Sequence, residues 1–159
     1  MTEIYLVRHA VAEERDAERW PDDAERPLTS DGEQRFRRVA RGLRALVPHV
    51  DVVLSSPYVR AWRTAEILHE DAGWPKPERS ELLEAVRAPA GGLDALGARP
   101  EASSIALVGH EPYLSHFLSI LLSGDPDAFR IDLKKGGVVR VDGNVLRWYA
   151  TPKMLVSIR

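Results

Sequence analysis

The sequence predicts an α/β domain: a three-layer sandwich with a mostly parallel central sheet, helices on both faces and a C-terminal β-hairpin. Two observations carry this. Short apolar runs alternate with segments whose apolar residues recur at helical spacing, the pattern of parallel strands covered by helices. The last third then changes character, with two strand-like segments flanking Asp142-Gly143-Asn144, a strong hairpin signal. The length of 159 residues suits one domain over residues 1–159 with one core.

The elements follow in order. Ile4-Tyr5-Leu6-Val7 is the first strand. Glu13 through Arg26 is polar and charged and reads as a surface loop. Phe36, Val39, Ala40, Leu43, Leu46 and Val47 mark one buried helix face. Ser30 and Glu33 form an S-x-x-E capping box at its start, and Pro48 closes it. Val50 to Leu54 is the second strand. Ser55-Ser56-Pro57 then places a serine at a cap and a proline near the first helical position. Tyr58, Ala61, Trp62, Ala65 and Leu68 continue that helix. Gly73 to Ala102 is broken by prolines and glycines, with a short strand near Arg79–Leu82 and a short helix near Leu93–Leu96. Ile105–Val108 is the next strand, and Pro112 opens a helix with Tyr113, Leu114, Phe117, Leu118, Leu121 and Leu122 on its apolar face. Val138–Val141 and Val145–Tyr149 are the arms of the hairpin.

Composition excludes several classes of function. The formal net charge is -2, with basic and acidic residues interspersed, so bulk charge recruits neither nucleic acid nor an anionic membrane. Any anion site must be local. Cysteine is absent, which removes disulfides, thiolate metal sites and thiol catalysis and fits a cytoplasmic protein. The N-terminus has no basic stretch leading into an apolar one, so no signal peptide is expected, and no run approaches the ~20 apolar residues of a membrane span. The five histidines show no H-x-x-x-H or similar spacing, so neither a metal nor another cofactor is expected. No feature specifies an oligomeric state.

The chemistry concentrates at strand ends. The first strand delivers Arg8 and His9. Arg60 lies in the first turn of the helix after the second strand, and His110 follows Ile105-Ala106-Leu107-Val108-Gly109. Ligands of open α/β sheets bind outside the carboxyl ends of the strands, so these groups are expected to share one crevice. The helices after the second and fourth strands should aim free N–H groups there as well. Two guanidinium groups, two imidazoles and two helix N-termini make an anion pocket. Arginine suits phosphate through its planar fork of donors, and imidazole can serve as nucleophile or charge stabiliser at neutral pH.

Five segments together resemble the histidine phosphatase superfamily. They are Leu6-Val7-Arg8-His9-Ala10, Arg26-Pro27-Leu28-Thr29-Ser30-Asp31-Gly32, Ser55-Ser56-Pro57-Tyr58-Val59-Arg60-Ala61, Thr64-Ala65-Glu66 and Val108-Gly109-His110-Glu111-Pro112. They occur in the family's order across most of the chain. The short length, the alanine after the first histidine and the Arg-Pro-Leu-Thr segment look most like SixA-type phosphohistidine phosphatases. The resemblance implies that His9 is the nucleophile and forms a phosphohistidine intermediate. It implies that Arg8 and Arg60 hold the phosphoryl oxygens, with His110 donating to the developing charge. It also implies a phosphatase that acts without metal on a phosphorylated protein, because the connections are short and leave no room for a lid domain. A phosphatase of small phosphate monoesters and a non-catalytic phosphate reader are the alternatives.

The proton donor for the leaving group is left open among Glu81, Glu84 and the first-loop carboxylates Glu13, Asp16 and Asp23. An imidazole leaving group, with a conjugate acid of pKa ~6.5, needs such a donor far less than an alkoxide does. A preference for P–N over P–O bonds is therefore expected. His9 must keep its attacking nitrogen neutral, with the other nitrogen oriented by a hydrogen bond; a backbone carbonyl near Ala10 is a candidate acceptor. Thr64 should face the same side of its helix as Arg60 and support it or pack ordinarily. His49, His69 and His116 read as structural, Lys134-Lys135-Gly136 as a solvated turn, and Trp62 as core. Trp20 stands in the polar loop, where it could stack against a partner.

Overall fold

Alternation along the first strand divides the molecule into its layers. In β1 (Glu3–Arg8), Tyr5 and Val7 point to one face of the sheet and Ile4 and Leu6 to the other, and all four are buried. The computed structural model describes residues 1–158. The sheet has six strands: β1, β2 (Val52–Ser55), β3 (Glu78–Arg79), β4 (Ser104–Gly109), β5 (Val138–Asp142) and β6 (Val145–Ala150), in the spatial order β3-β2-β4-β1-β5-β6. The first four run parallel, and β5 and β6 form the antiparallel hairpin against β1. Gly143 turns that hairpin with φ +61°, a conformation L side chains rarely adopt.

Helices α1 (Ser30–Leu46), α2 (Val59–Ala72) and α5 (Pro152–Val156) cover the Tyr5/Val7 face. Helices α3 (Gly91–Gly97) and α4 (Tyr113–Ser123) cover the Ile4/Leu6 face. Phe36, Leu43, Leu68 and Trp74 fill the first interface, and Leu83, Leu107, Leu114 and Phe117 the second. Each such fully buried side chain contributes roughly 1.5–3 kcal/mol of transfer free energy.

Several local expectations are revised. Thr29, not Ser30, caps α1: its hydroxyl accepts from the Gly32 amide at 2.9 Å, and Glu33 pairs with Arg63 instead of closing a box. The cap is set one residue early because the Thr29 amide is already bound to the Val11 carbonyl, leaving Thr29 extended. β2 begins at Val52, and just before it the Asp51 carboxylate accepts from the amides of Ser103 and Ser104. The strand expected near Arg79–Leu82 occupies Glu78–Arg79 only, and residues 81–83 turn into a 3₁₀ helix. The short helix extends to Gly91–Gly97. α5 was not expected from the sequence; five residues are too few to show a period, although Thr151 caps it and Pro152 opens it.

Candidate active site

The register of β1 against β4 determines where the two histidines lie. Arg8 is paired with Gly109, so the next residues along each strand, His9 and His110, leave the sheet side by side. The His9 amide donates to the Gly109 carbonyl at 3.0 Å, and the two rings sit 5.4 Å apart, centroid to centroid. β2 ends one strand away, and α2 brings Arg60 up from its first turn. All four side chains line one cavity of about 280 Å³. The structure thus brings together the four residues singled out in the sequence.

Each is held by groups outside the cavity. The Nδ1–H of His9 donates to the Ala10 carbonyl at 2.7 Å, which leaves Nε2 with the lone pair. Burial, reinforced by the charges of Arg60 and Arg8, pushes the His9 pKa down to about 3 despite the Ala10 carbonyl, so the ring is neutral. Burial and its charged neighbours likewise lower His110 to about 2. Arg60 is buried, donating to the backbone carbonyl of Asp23 at 2.8 Å and to its carboxylate at 3.0 Å. Arg8 donates from Nη1 to the Leu133 carbonyl at 2.8 Å. Thr64 accepts from the Ala10 amide and donates to the Arg60 carbonyl, so one hydroxyl ties the loop after His9 to the turn that carries Arg60.

Ser56 has a use the sequence did not reveal. The expected cap serine lies 2.8 Å from His110 Nε2 and also accepts from the Tyr58 amide. The hydroxyl can donate to His110 Nε2 or accept from it, according to which ring nitrogen carries the proton. Nδ1 of His110 is buried without a partner, and so are Nε of Arg8 and Nε of Arg60. Unpaired buried polar groups are costly and rare.

The remaining ionisable groups are sorted by position. Glu81 is exposed, Glu84 pairs with Arg87, and neither lines the cavity, whereas Ala85 does. The Asp16 carboxylate accepts from the amides of Glu18 and Arg19 and also lies outside it. Partial burial would raise the Asp23 carboxyl, but hydrogen bonds and charge from Arg26 and Arg60 outweigh it and hold the group ionised. Glu13, Glu14 and Glu111 line the cavity. Glu111 is raised by burial and accepts from both the amide and the hydroxyl of Ser115. It thereby caps the start of α4, so of the two helix ends expected to aim free donors at the site, this one is already partly satisfied by its own chain. Arg26, quoted only as part of a motif, is buried beside Arg60 and donates to the Glu13 carbonyl at 2.7 Å. Its side chain positions the first loop over the cavity.

Other residues behave as expected or shift slightly. His49 pairs with Asp51, His69 with the Trp74 carbonyl and His116 with the Pro126 carbonyl, all away from the cavity. Arg19 stacks on Trp20, whose indole N–H is buried without a partner. Lys135, read as part of a solvated turn, lines the cavity rim because Gly136 next to it is hydrogen-bonded to the carbonyls of Arg8 and His9. Among the described residues no group of three or more His, Cys, Asp or Glu is placed to hold a metal ion, and no helix is long and apolar enough to cross a membrane.

The sequence profile of the histidine phosphatase superfamily (branch 1) matches residues 4–87, just over half of the chain. The chain belongs to the histidine phosphatase superfamily. The match includes Arg8, His9 and Arg60 and stops before His110, which the β1–β4 register supplies. An uncharacterized protein of Picosynechococcus sp. is 34% identical over 152 residues, covering 91% of this histidine phosphatase and 87% of the relative. The solved structure of the protein histidine phosphatase SixA complexed with tungstate superposes with a TM-score of 0.83 at 22% identity, over 96% of this chain and 98% of that one. A phosphoserine phosphatase from Entamoeba histolytica reaches 0.71 at 18% identity, over 98% of this chain and 100% of that one. At these identities the likeness is one of fold, the phosphoglycerate mutase-like α/β sandwich. Family membership supports a hydrolase acting on phosphate groups.

Proposed function

We propose that this histidine phosphatase hydrolyses phosphohistidine on another protein, with His9 as nucleophile and without a metal. One observation carries the reading: the side chains of Arg8, Arg60 and His110 line one cavity with the neutral imidazole of His9. A phosphoryl group there would lie among two guanidinium groups and two imidazoles. Nε2 of His9, neutral and free of hydrogen-bond partners among the described residues, attacks phosphorus and forms a P–N bond. The leaving imidazole takes the electron pair of its own P–N bond and a proton from solvent. Water then attacks the phosphorylated His9, releasing inorganic phosphate and restoring the imidazole. Charge building on the phosphoryl oxygens is met by the two arginines and by His110, so the barrier falls by preorganised electrostatics.

The substrate class rests on the carboxylates. Of the candidate donors, Glu81, Glu84 and Asp16 stand outside the cavity and Asp23 is held ionised by two arginines; Glu13 lines the cavity beside Arg19, as do Glu14 and Glu111, the last engaged with Ser115. A leaving alkoxide would need a proton from such a group; a leaving imidazole can be protonated from water. The cavity is also bordered by the first loop, residues 9–29, rather than by a separate lid domain, which leaves room for a side chain presented by a protein.

The test compares kcat/KM for a phosphohistidine peptide and an alkyl phosphate, each with and without chelator. A preference for the peptide that survives chelation is expected. A preference for the alkyl phosphate would assign the enzyme to small monoesters, and loss of turnover with chelator would refute the metal-free mechanism. Acid-labile label should be trapped on the native protein and not on His9→Ala, whose turnover should fall by ~10⁴-fold or more. Binding without trapped label or turnover would make the protein a phosphate reader.

A further inference from the structure

Beside the cavity lies a larger open groove of about 550 Å³. Arg8 and Lys135 form the wall the two share. Arg35 from α1, Lys134 and Lys135 from the turn before β5, and Lys153 from α5 surround it, over a floor that includes Val11 and Pro152. Asp132 is its one acidic residue and pairs with Lys134 at 2.7 Å.

Positive charge is gathered here in a chain whose net charge is -2. Several arginines elsewhere are engaged, Arg37 with Glu70 and Asp71, Arg63 with Glu33, Arg99 with Glu78, and Arg140 with Asp142, while Arg15, Arg38, Arg44, Arg79 and Arg130 are scattered cations outside the groove. Arg35, Lys135 and Lys153 are exposed and have no carboxylate within 4.0 Å among the described residues. The turn that carries the lysines is also fixed. The Gly136 amide donates to the carbonyls of Arg8 and His9, the Arg8 amide donates to the Gly137 carbonyl, and the Lys134 amide donates to the Tyr149 hydroxyl. These cations are therefore held at a set position relative to the nucleophile.

We propose that the groove docks an acidic segment of the phosphorylated protein, with its Asp and Glu carboxylates against Arg35, Lys135 and Lys153 while its phosphorylated side chain enters the cavity. This rests on the protein-substrate reading above. The three cations come from three separate elements spread along an open groove instead of converging on one point. That layout matches carboxylates spaced along a chain better than one compact polyanion. The apolar floor suits the aliphatic parts of such a segment. Complementary charge of this kind raises the encounter rate and selects among partners, and is weakened by salt.

The test uses three substrates: phosphoramidate, a phosphohistidine peptide with acidic flanks and the same peptide with neutral flanks. The proteins are the native chain and the double variant Arg35→Gln/Lys153→Gln, whose two sites lie outside the phosphoryl cavity. The native protein is expected to favour the acidic peptide by roughly tenfold in kcat/KM, with the margin shrinking as salt rises. The double variant should lose that margin through KM while turning over phosphoramidate at the native rate. Equal use of both peptides by the native protein, with phosphoramidate hydrolysed, overturns the docking proposal and leaves the reading of the site standing. Failure to hydrolyse any of the three overturns both. If tripolyphosphate inhibits the native protein far more than the double variant and the acidic peptide has no advantage, the groove belongs to a small polyanion and the proposal fails.

Discussion

The Ser56 hydroxyl sits 2.8 Å from Nε2 of His110, joining the end of β2 to the residue that follows β4. The contact orients the His110 ring beside the cavity. Ser56→Ala should leave Nε2 buried without a partner and loosen the ring. A hydrogen bond of this kind is worth about 1 kcal/mol, so kcat should fall by up to about tenfold with KM less affected. Steady-state kinetics on the phosphohistidine peptide checks this, and an unchanged kcat would show that the serine serves only the Tyr58 amide.

Asp23 offers a sharper discrimination. Its carboxylate is bound by both Arg26 and Arg60 and held ionised, which makes it a positioning group and not a proton donor. Asp23→Asn should weaken the hold on Arg60 and lower kcat/KM by roughly tenfold, about the worth of one charge-assisted hydrogen bond. The alkaline limb of the pH–rate profile should keep its shape. Disappearance of that limb in the variant would instead make Asp23 the acid.

The two imidazoles should make stability depend on pH in a definite direction. His9 is held at about 3 and His110 at about 2, against ~6.5 in an unfolded chain. As pH falls below ~6.5, the unfolded chain binds protons that the folded chain refuses. The stability is present in full above that value and is lost as pH drops toward about 3, at a rate of order 1 kcal/mol per pH unit for each histidine. Urea denaturation between about pH 7 and about pH 5 should record the loss. An oxyanion such as tungstate bound in the cavity should raise both histidine pKa values and reduce the slope. A flat profile without anion would mean the rings are charged in the folded state.

Gly42 tests the packing of α5. A Cβ added there would lie 1.8 Å from the Leu155 carbonyl oxygen, a backbone atom that cannot yield without moving the helix. Gly42→Ala should therefore cost about 1–3 kcal/mol, roughly 2–4 °C in Tm per kcal/mol for a domain of this size. Thermal melts would show it. Because α5 also carries Lys153 at the edge of the basic groove, discrimination between acidic and neutral peptides should weaken in parallel.

Local chemistry was legible without coordinates wherever one stretch of chain decides the outcome. Short apolar runs marked β1 and β4, helical spacing marked α1, α2 and α4, and Asp142-Gly143-Asn144 between two strand-like segments marked the hairpin of β5 and β6. The four residues of the cavity were legible too, because ends of parallel strands meet on one edge of such a sheet. Errors appeared where a competing partner comes from elsewhere. Ser30 looked like the cap until the Val11 carbonyl claimed the Thr29 amide, and Ser56 looked like a helix cap until His110 arrived from more than fifty positions away.

By itself, then, the order of residues determined the layers, the main strands and the four side chains that meet at one cavity. Only the folded chain decided the β1–β4 register that sets His9 beside His110, which carboxylates stay outside the cavity, and the meeting of α1, α5 and the Lys134-Lys135 turn around one basic groove. The physical reason is range. Propensity and periodicity act over a few residues, whereas pairing of strands, burial of charge and the competition for each hydrogen bond depend on atoms far apart in the chain.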